Sequence, residues 1–135
     1  MSKEFIEAVY RNDLAKVEEL LATVDVNKTC SEDIRGGGEV VIAAGRTALQ
    51  VAALAGHLQM VRVLLRNRAN IFQPNPLNNS SPLHYAAYGG HAEVADLLIS
   101  QGASINTTNR YGDTPLHLAA SGKNPEVVRL LLESG

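Results

Sequence analysis

Four histidines and one cysteine are the side chains best suited to metal or nucleophilic chemistry in this chain. His84 and His117 lie 33 residues apart and, with His57 and His91, invite a metal reading. No carboxylate or thiolate accompanies them at ligand spacing, so no metal site is expected. Cys30 stands alone, which excludes an intrachain disulfide and a thiolate-rich zinc site. Neither a Ser-His-Asp nor a Cys-His arrangement emerges. The stretch Gly38-Glu-Val-Val-Ile-Ala-Ala-Gly-Arg-Thr47 has the flavour of a phosphate loop, but the glycine-x4-glycine-lysine spacing is absent and Arg46 stands in place of the lysine. The expectation is a protein that is not an enzyme and carries no cofactor.

The elements that would hold these residues are bounded by composition. With 135 residues, 45% apolar and 19% charged, the chain suits one folded domain rather than a disordered segment. The net charge is −2 and Lys and Arg are scattered, so no footprint for nucleic acid or an anionic membrane is present. No apolar run approaches the roughly 20 residues of a membrane helix, and Met1-Ser2-Lys3-Glu4 opens a charged amphipathic segment rather than a secretory signal. The sequons at Asn27 and Asn106 therefore carry little weight. A lone thiol suits a reducing compartment, which favours the cytoplasm, with the nucleus as second choice.

An internal period organises the rest. Thr47-Ala-Leu-Gln-Val-Ala-Ala53, Ser81-Pro-Leu-His-Tyr-Ala-Ala87 and Thr114-Pro-Leu-His-Leu-Ala-Ala120 recur at spacings of 34 and 33 residues. Gly56-His57 and Gly90-His91 follow at equal offsets, then Val61-Arg-Val-Leu-Leu65, Val94-Ala-Asp-Leu-Leu98 and Val127-Val-Arg-Leu-Leu131. Thr47, Ser81 and Thr114 read as hydroxyl N-caps, with Pro82 and Pro115 at the first helical position, where a missing N–H costs nothing. The alanine pairs allow close helix approach, Leu49, Leu83 and Leu116 fill the space between copies, and the Leu-Leu pairs place the apolar stripe of a second helix. Gly56 and Gly90 stop their helices.

These residues resemble the ankyrin repeat, whose period is about 33 residues and whose signature is Thr-Pro-Leu-His-x-Ala. The resemblance implies an all-α solenoid of four stacked helix-turn-helix repeats with β-hairpin-like fingers. It divides one domain, 1–135, into a degenerate capping repeat (1–28), an insertion or long finger (29–45), and repeats at 46–79, 80–112 and 113–135. The histidines then fall on structural positions, where their rings brace neighbouring turns. Residues 3 to 22 carry helical apolar spacing interleaved with charge, as a terminal repeat facing water requires.

Two departures and two ends modify the pattern. Lys123-Asn124 replaces Gly-His, so that Asn124 or a reshaped turn is expected to stop the helix there. An extra residue around Pro74-Asn75-Pro76-Leu77 lengthens one finger and should disturb its pairing locally. The insertion, about 11 residues beyond the period, is either a β-finger turning at Gly36-Gly37-Gly38 and returning through Val40 to Ile42, or an unstructured loop. The last repeat ends at Gly135 with an apolar face uncovered, an expectation that more chain follows.

In the resembled family a partner protein lies along the concave side, against finger tips and the inner-helix residues flanking the Thr-Pro-Leu-His block. Transferred to this chain, that selects Arg46, Leu54 and Ala55 in the second repeat, and Leu77, Asn78, Ser80, Tyr88 and Gly89 in the third. In the fourth it selects Arg110, Tyr111, Asp113 and Ser121, with Tyr10 and Arg11 as equivalents in the cap. Tyr85 lies beside them on the same helix. Tyrosine and arginine are favoured interface anchors, and the competing reading is that Tyr85 and Tyr88 only cover alanine-rich helix surface. The implied function is an adaptor or scaffold, monomeric as it stands, probing a protein partner and neither nucleic acid nor membrane. A finer resemblance of Gly45 to Ala53 and Leu64 to Ala69 to the ankyrin segment of mind bomb-type ubiquitin ligases implies a ligase scaffold. A regulatory cover over a downstream domain of the same protein is the third option.

Overall fold

The computed structural model describes residues 3–135. It is an all-α stack of four helix pairs: α1 (Lys3–Tyr10) with α2 (Leu14–Leu20), α3 (Ala48–Ala55) with α4 (Leu58–Arg66), α5 (Pro82–Gly89) with α6 (Ala92–Ser100), and α7 (Pro115–Ser121) with α8 (Pro125–Ser134). The inner helices α1, α3, α5 and α7 pack in sequence, and the outer helices α4, α6 and α8 form the second layer. Among the described residues no helix is long and apolar enough to cross a membrane.

Each inner helix begins where the repeated motif requires. Thr47, Ser81 and Thr114 are extended N-cap residues whose hydroxyl oxygens accept from the backbone N–H three residues on. The return bond of the capping box comes from Gln50 Oε1, His84 Nδ1 and His117 Nδ1, each accepting the cap residue's own N–H. An imidazole nitrogen that accepts from a backbone N–H carries no proton. His84 is therefore protonated on Nε2, which donates to the carbonyl of Asp113 in the next finger at 2.9 Å.

The core follows from stacking small residues. Ala48, Ala52, Ala53, Ala86, Ala87 and Ala119 are fully buried, and Leu49, Leu83, Met60, Leu64 and Leu98 fill the layer between inner and outer helices. Phe5, Ile6, Val9 and Val17 supply the cap's share, and Lys16 joins Glu4 across α2 and α1 at 2.9 Å on the charged outer face. That exposed pair contributes little energy; burial of the four apolar side chains holds the cap on.

A second set of bonds couples successive pairs at the end of each inner helix. His57 Nε2 reaches the carbonyl of Tyr10 at 2.9 Å, and His91 Nε2 that of Leu54 at 2.8 Å. Gly56 stops α3 in the left-handed region, at φ 78°, and a Cβ there would collide with the His91 ring. In the last repeat, where the sequence allows either Asn124 or a reshaped turn as the stop, the turn is reshaped and the two tasks are divided. Lys123 takes the left-handed conformation at φ 57°, while Asn124 replaces the imidazole as the brace, its Nδ2 donating to the carbonyls of Ala87 and Tyr88 at 3.1 and 3.4 Å. A primary amide carries the donor a neutral histidine would supply, so the coupling survives the substitution.

The fingers begin at Cys30, Asn75 and Asn109. Their N–H groups donate to the carbonyls of Arg46, Ser80 and Asp113, the residues just before each N-cap. In the last finger Gly112 N–H closes on the Asn109 carbonyl; in the preceding one the extra residue pushes that closure out to Asn79, at φ 59°. A single backbone bond, Arg110 N–H to the Asn78 carbonyl at 2.8 Å, then joins these two tips.

The insertion is an ordered hairpin of β1 (Ile34–Gly36) and β2 (Glu39–Ile42), paired antiparallel with Gly36 opposite Glu39. Gly37 and Gly38 turn it with φ of 63° and 89°, the two left-handed residues that a two-residue primed turn demands. At its root a bulge follows Ile34, which faces Ile42; both side chains are buried, and Ala44 N–H donates to Asp33 Oδ1 at 2.9 Å. These contacts offset the entropy cost of three consecutive glycines. Asn27 fixes the cap to the second repeat: its Nδ2 donates to the Arg68 carbonyl, its Oδ1 accepts from Asn70 N–H, and its carbonyl accepts from Gln73 Nε2.

Candidate functional site

The side opposite the outer helices is shaped by α3, α5, α7 and the fingers that precede them. Its floor is Tyr85. The ring is only 7% exposed, and its hydroxyl accepts from Asn75 Nδ2 at 2.9 Å and Asn78 Nδ2 at 3.2 Å. Both amides belong to the finger before α5, so the ring and the finger hold one another. Over this fixed ring lies the guanidinium of Arg46, 5.1 Å from the centroid, in cation–π contact.

The walls rise from the neighbouring repeat. Asn109 Oδ1 accepts the N–H groups of Tyr111 and Asp113, both at 3.0 Å, which folds the last finger into a tight turn. Its Nδ2 donates to Ser80 Oγ at 3.3 Å, linking the two fingers through buried side chains. That turn lifts Tyr111 out to 75% exposure, and Tyr88 stands at 63% on α5.

Between them is a cleft of about 260 Å³. It brings together eight of the residues selected from the sequence: Arg46, Leu54, Asn78, Ser80, Tyr85, Tyr88, Tyr111 and Asp113. Ala55 at the end of α3, Ser121 at the end of α7 and Arg110 on the finger do not line it. Arg110 instead spans the tips, its Nη2 donating to the Pro76 carbonyl at 3.4 Å. Ser80 and Tyr85 are buried, so they shape the cleft more than they meet solvent.

Three lining residues were not selected from the sequence: His84, Asn109 and Leu118. Leu118 holds the motif position of Tyr85 one repeat on, and Asn109 that of Asn75, so the repeat offset is the signal that finds them. His84 is buried, and that burial lowers its pKa below the ordinary histidine value, partly offset by the carbonyls of Asp113 and Thr107. A neutral ring in a capping box is a structural part, not a proton carrier for chemistry.

A larger groove, about 760 Å³, runs along the flank of α7 and α8 between Ala120, Val128 and Leu132. It lies on the side that α5 and α6 present to their successors, and it has neither the tyrosines nor the tied fingers of the concave cleft. Among the described residues no three of His, Cys, Asp and Glu gather as metal ligands.

A family model described as ankyrin repeats matches residues 5–109 and 70–135. Protein phosphatase 1 regulatory subunit 27 of Homo sapiens is 31% identical over 109 residues, covering 81% of this chain and 64% of that protein. The E3 ubiquitin-protein ligase mind-bomb of Drosophila melanogaster is 33% identical over 94 residues, covering 67% of this chain and 8% of that protein. Ankyrin repeat and SAM domain-containing protein 6 of Mus musculus is 46% identical over 70 residues, covering 52% of this chain and 8% of that protein. The chain thus spans less than two thirds of the length of each of these relatives.

Proposed function

The chain belongs to the ankyrin-repeat family, whose members are in general non-catalytic modules for protein–protein contact, and we propose that this one grips a partner protein in the concave cleft between Arg46, Tyr88 and Tyr111. The observation that carries the reading is the exposure of two large aromatic side chains on a rigid frame. The backbones of Tyr88 and Tyr111 are fixed by a helix and by a hydrogen-bonded turn, so covering these rings costs the ordering of their side chains and not of the chain that carries them. Leu54 and Leu118 give the cleft an apolar base, and Asp113 adds charge at its edge. A standard interface would cover about 800 Å² of this side. Residues 1–135 act as one recognition unit in the cytoplasm, monomeric before the partner arrives.

A photo-crosslinking amino acid placed at Tyr88 or Tyr111 tests the surface, with Arg62 on the convex outer helix as control. Partner adducts at 88 and 111 and none at 62 support it. Adducts confined to 62 overturn it. The similarity to mind-bomb, a ligase by its name, favours one wider setting, in which the stack positions a substrate for ubiquitin transfer carried out elsewhere in a longer protein. Adducts between the stack and a downstream domain of the same longer protein, rather than a foreign protein, would instead make it a regulatory cover.

A further inference from the structure

Among the described residues one buried side-chain nitrogen or oxygen is left without a hydrogen-bond partner, and it is Arg46 Nε, on the wall of the cleft. The ion pairs of the described residues all lie on α1 and α2, between Lys3, Lys16 and their glutamates, so the Arg46 guanidinium carries its charge unpaired. Nε itself is sealed from solvent, whereas the two Nη nitrogens have no hydrogen-bond partner and are not sealed, so a ligand meets the guanidinium at its Nη end. The plane of the group is fixed from beneath by Tyr85, whose own hydroxyl is held by two asparagines. The cleft is therefore a preorganised fork lacking its acceptor.

We propose that the occupant is a partner segment bearing an aspartate or glutamate, its carboxylate seated on Arg46 and its neighbouring apolar or aromatic side chain lying between Tyr88 and Tyr111. The proposal rests on the concave reading above and adds the chemistry of the ligand. Guanidinium and carboxylate match in a two-bond geometry that no single-acceptor group reproduces. Asp113 across the cleft favours the opposite charge, but its bonds are made by its backbone, and nothing fixes its carboxylate as Tyr85 fixes the Arg46 plane. The fixed guanidinium, which has no ion-pair partner, therefore points the cleft toward an anion at the Arg46 end.

The test is a display selection of random octapeptides on the whole chain, followed by affinity measurements on the selected peptides. We expect one acidic position beside an aromatic or aliphatic one, and a loss of about tenfold or more when that Asp or Glu becomes Asn or Gln. Arg46→Gln should erase that difference while leaving the melting temperature near its starting value, and Tyr88→Ala should weaken acidic and amide peptides alike. Selected peptides that carry Lys or Arg at this position, or that keep their acid preference on the Arg46→Gln chain, overturn the proposal. Peptides indifferent to the acid but sensitive to Tyr88→Ala overturn the ligand chemistry and spare the cleft. Selected peptides insensitive to every cleft substitution, or no enrichment at all, overturn both.

Discussion

His84 Nε2 and the carbonyl oxygen of Asp113 lie 2.9 Å apart, and the bond between them ties one repeat's inner helix to the next repeat's finger. Because Nδ1 already accepts from Ser81 N–H, the ring has no room for a second proton without breaking its capping box. Its folded-state pKa is lowered, so the folded state favours the neutral ring, and the stability this contributes is present above the ordinary histidine pKa. It is lost as pH falls from there through the lower folded value. Urea unfolding between about pH 7.5 and pH 5 should show that decline, and His84→Gln should flatten it. Glutamine is the natural control, since Gln50 makes the same capping box one repeat earlier. An unchanged slope in the variant would exclude His84 as the titrating group.

Lys123 occupies a left-handed conformation that costs an ordinary residue roughly 1 kcal/mol or more. Lys123→Gly removes that strain and gives back part of it as unfolded-state entropy, so a gain of up to about 1 kcal/mol is expected. Asn124 keeps its bonds to Ala87 and Tyr88 in either case. A lower melting temperature would show that the lysine is not strained.

The tyrosines should separate by role. Tyr85→Phe deletes the acceptor of two amide bonds and should cost about 1 to 2 kcal/mol, with Asn75 and Asn78 released. Tyr88→Ala combined with Tyr111→Ala should leave stability within about 0.5 kcal/mol, since both are exposed, and abolish partner capture. Capture undiminished by the double substitution would remove the cleft from consideration.

Asn27→Ala should loosen the cap from the second repeat. Two of the bridging bonds, to the Arg68 carbonyl and from Asn70 N–H, pass through its side chain. A loss of about 1 to 3 kcal/mol is expected, with the Asn70 amide exchanging faster than those inside α5. Equal exchange at both places in wild type and variant would argue that the link is idle.

The regular part of this architecture was legible in the sequence because it is written three times. Thr47, Ser81 and Thr114 announce their caps, and the alanine and leucine spacing fixes which faces meet. Exceptions were harder. Lys123 reads as a poor stop signal beside Asn124, and only the backbone shows that the lysine bends while the asparagine braces. The hairpin turns on a balance between glycine entropy and two buried isoleucines, which residue types alone leave open. At the cleft, the motif offset found Tyr88 and Tyr111, but not the division of labour that buries Tyr85 and strands Arg46 Nε. Those depend on contacts between repeats, and a contact across 39 residues, such as Arg46 on Tyr85, has no local signature.

The paired bonds at the root of the first finger, Cys30 N–H to the Arg46 carbonyl and Gly45 N–H back to the Cys30 carbonyl, close that loop irrespective of what it encloses. They leave its length free at the tip: a foreign peptide grafted between Gly37 and Gly38, where nothing packs, would be carried as cargo with the buried Ile34 and Ile42 left in place. The stack thereby offers a second address for engineering beside the cleft, with Arg46 common to both, its carbonyl closing the finger root and its side chain walling the cleft.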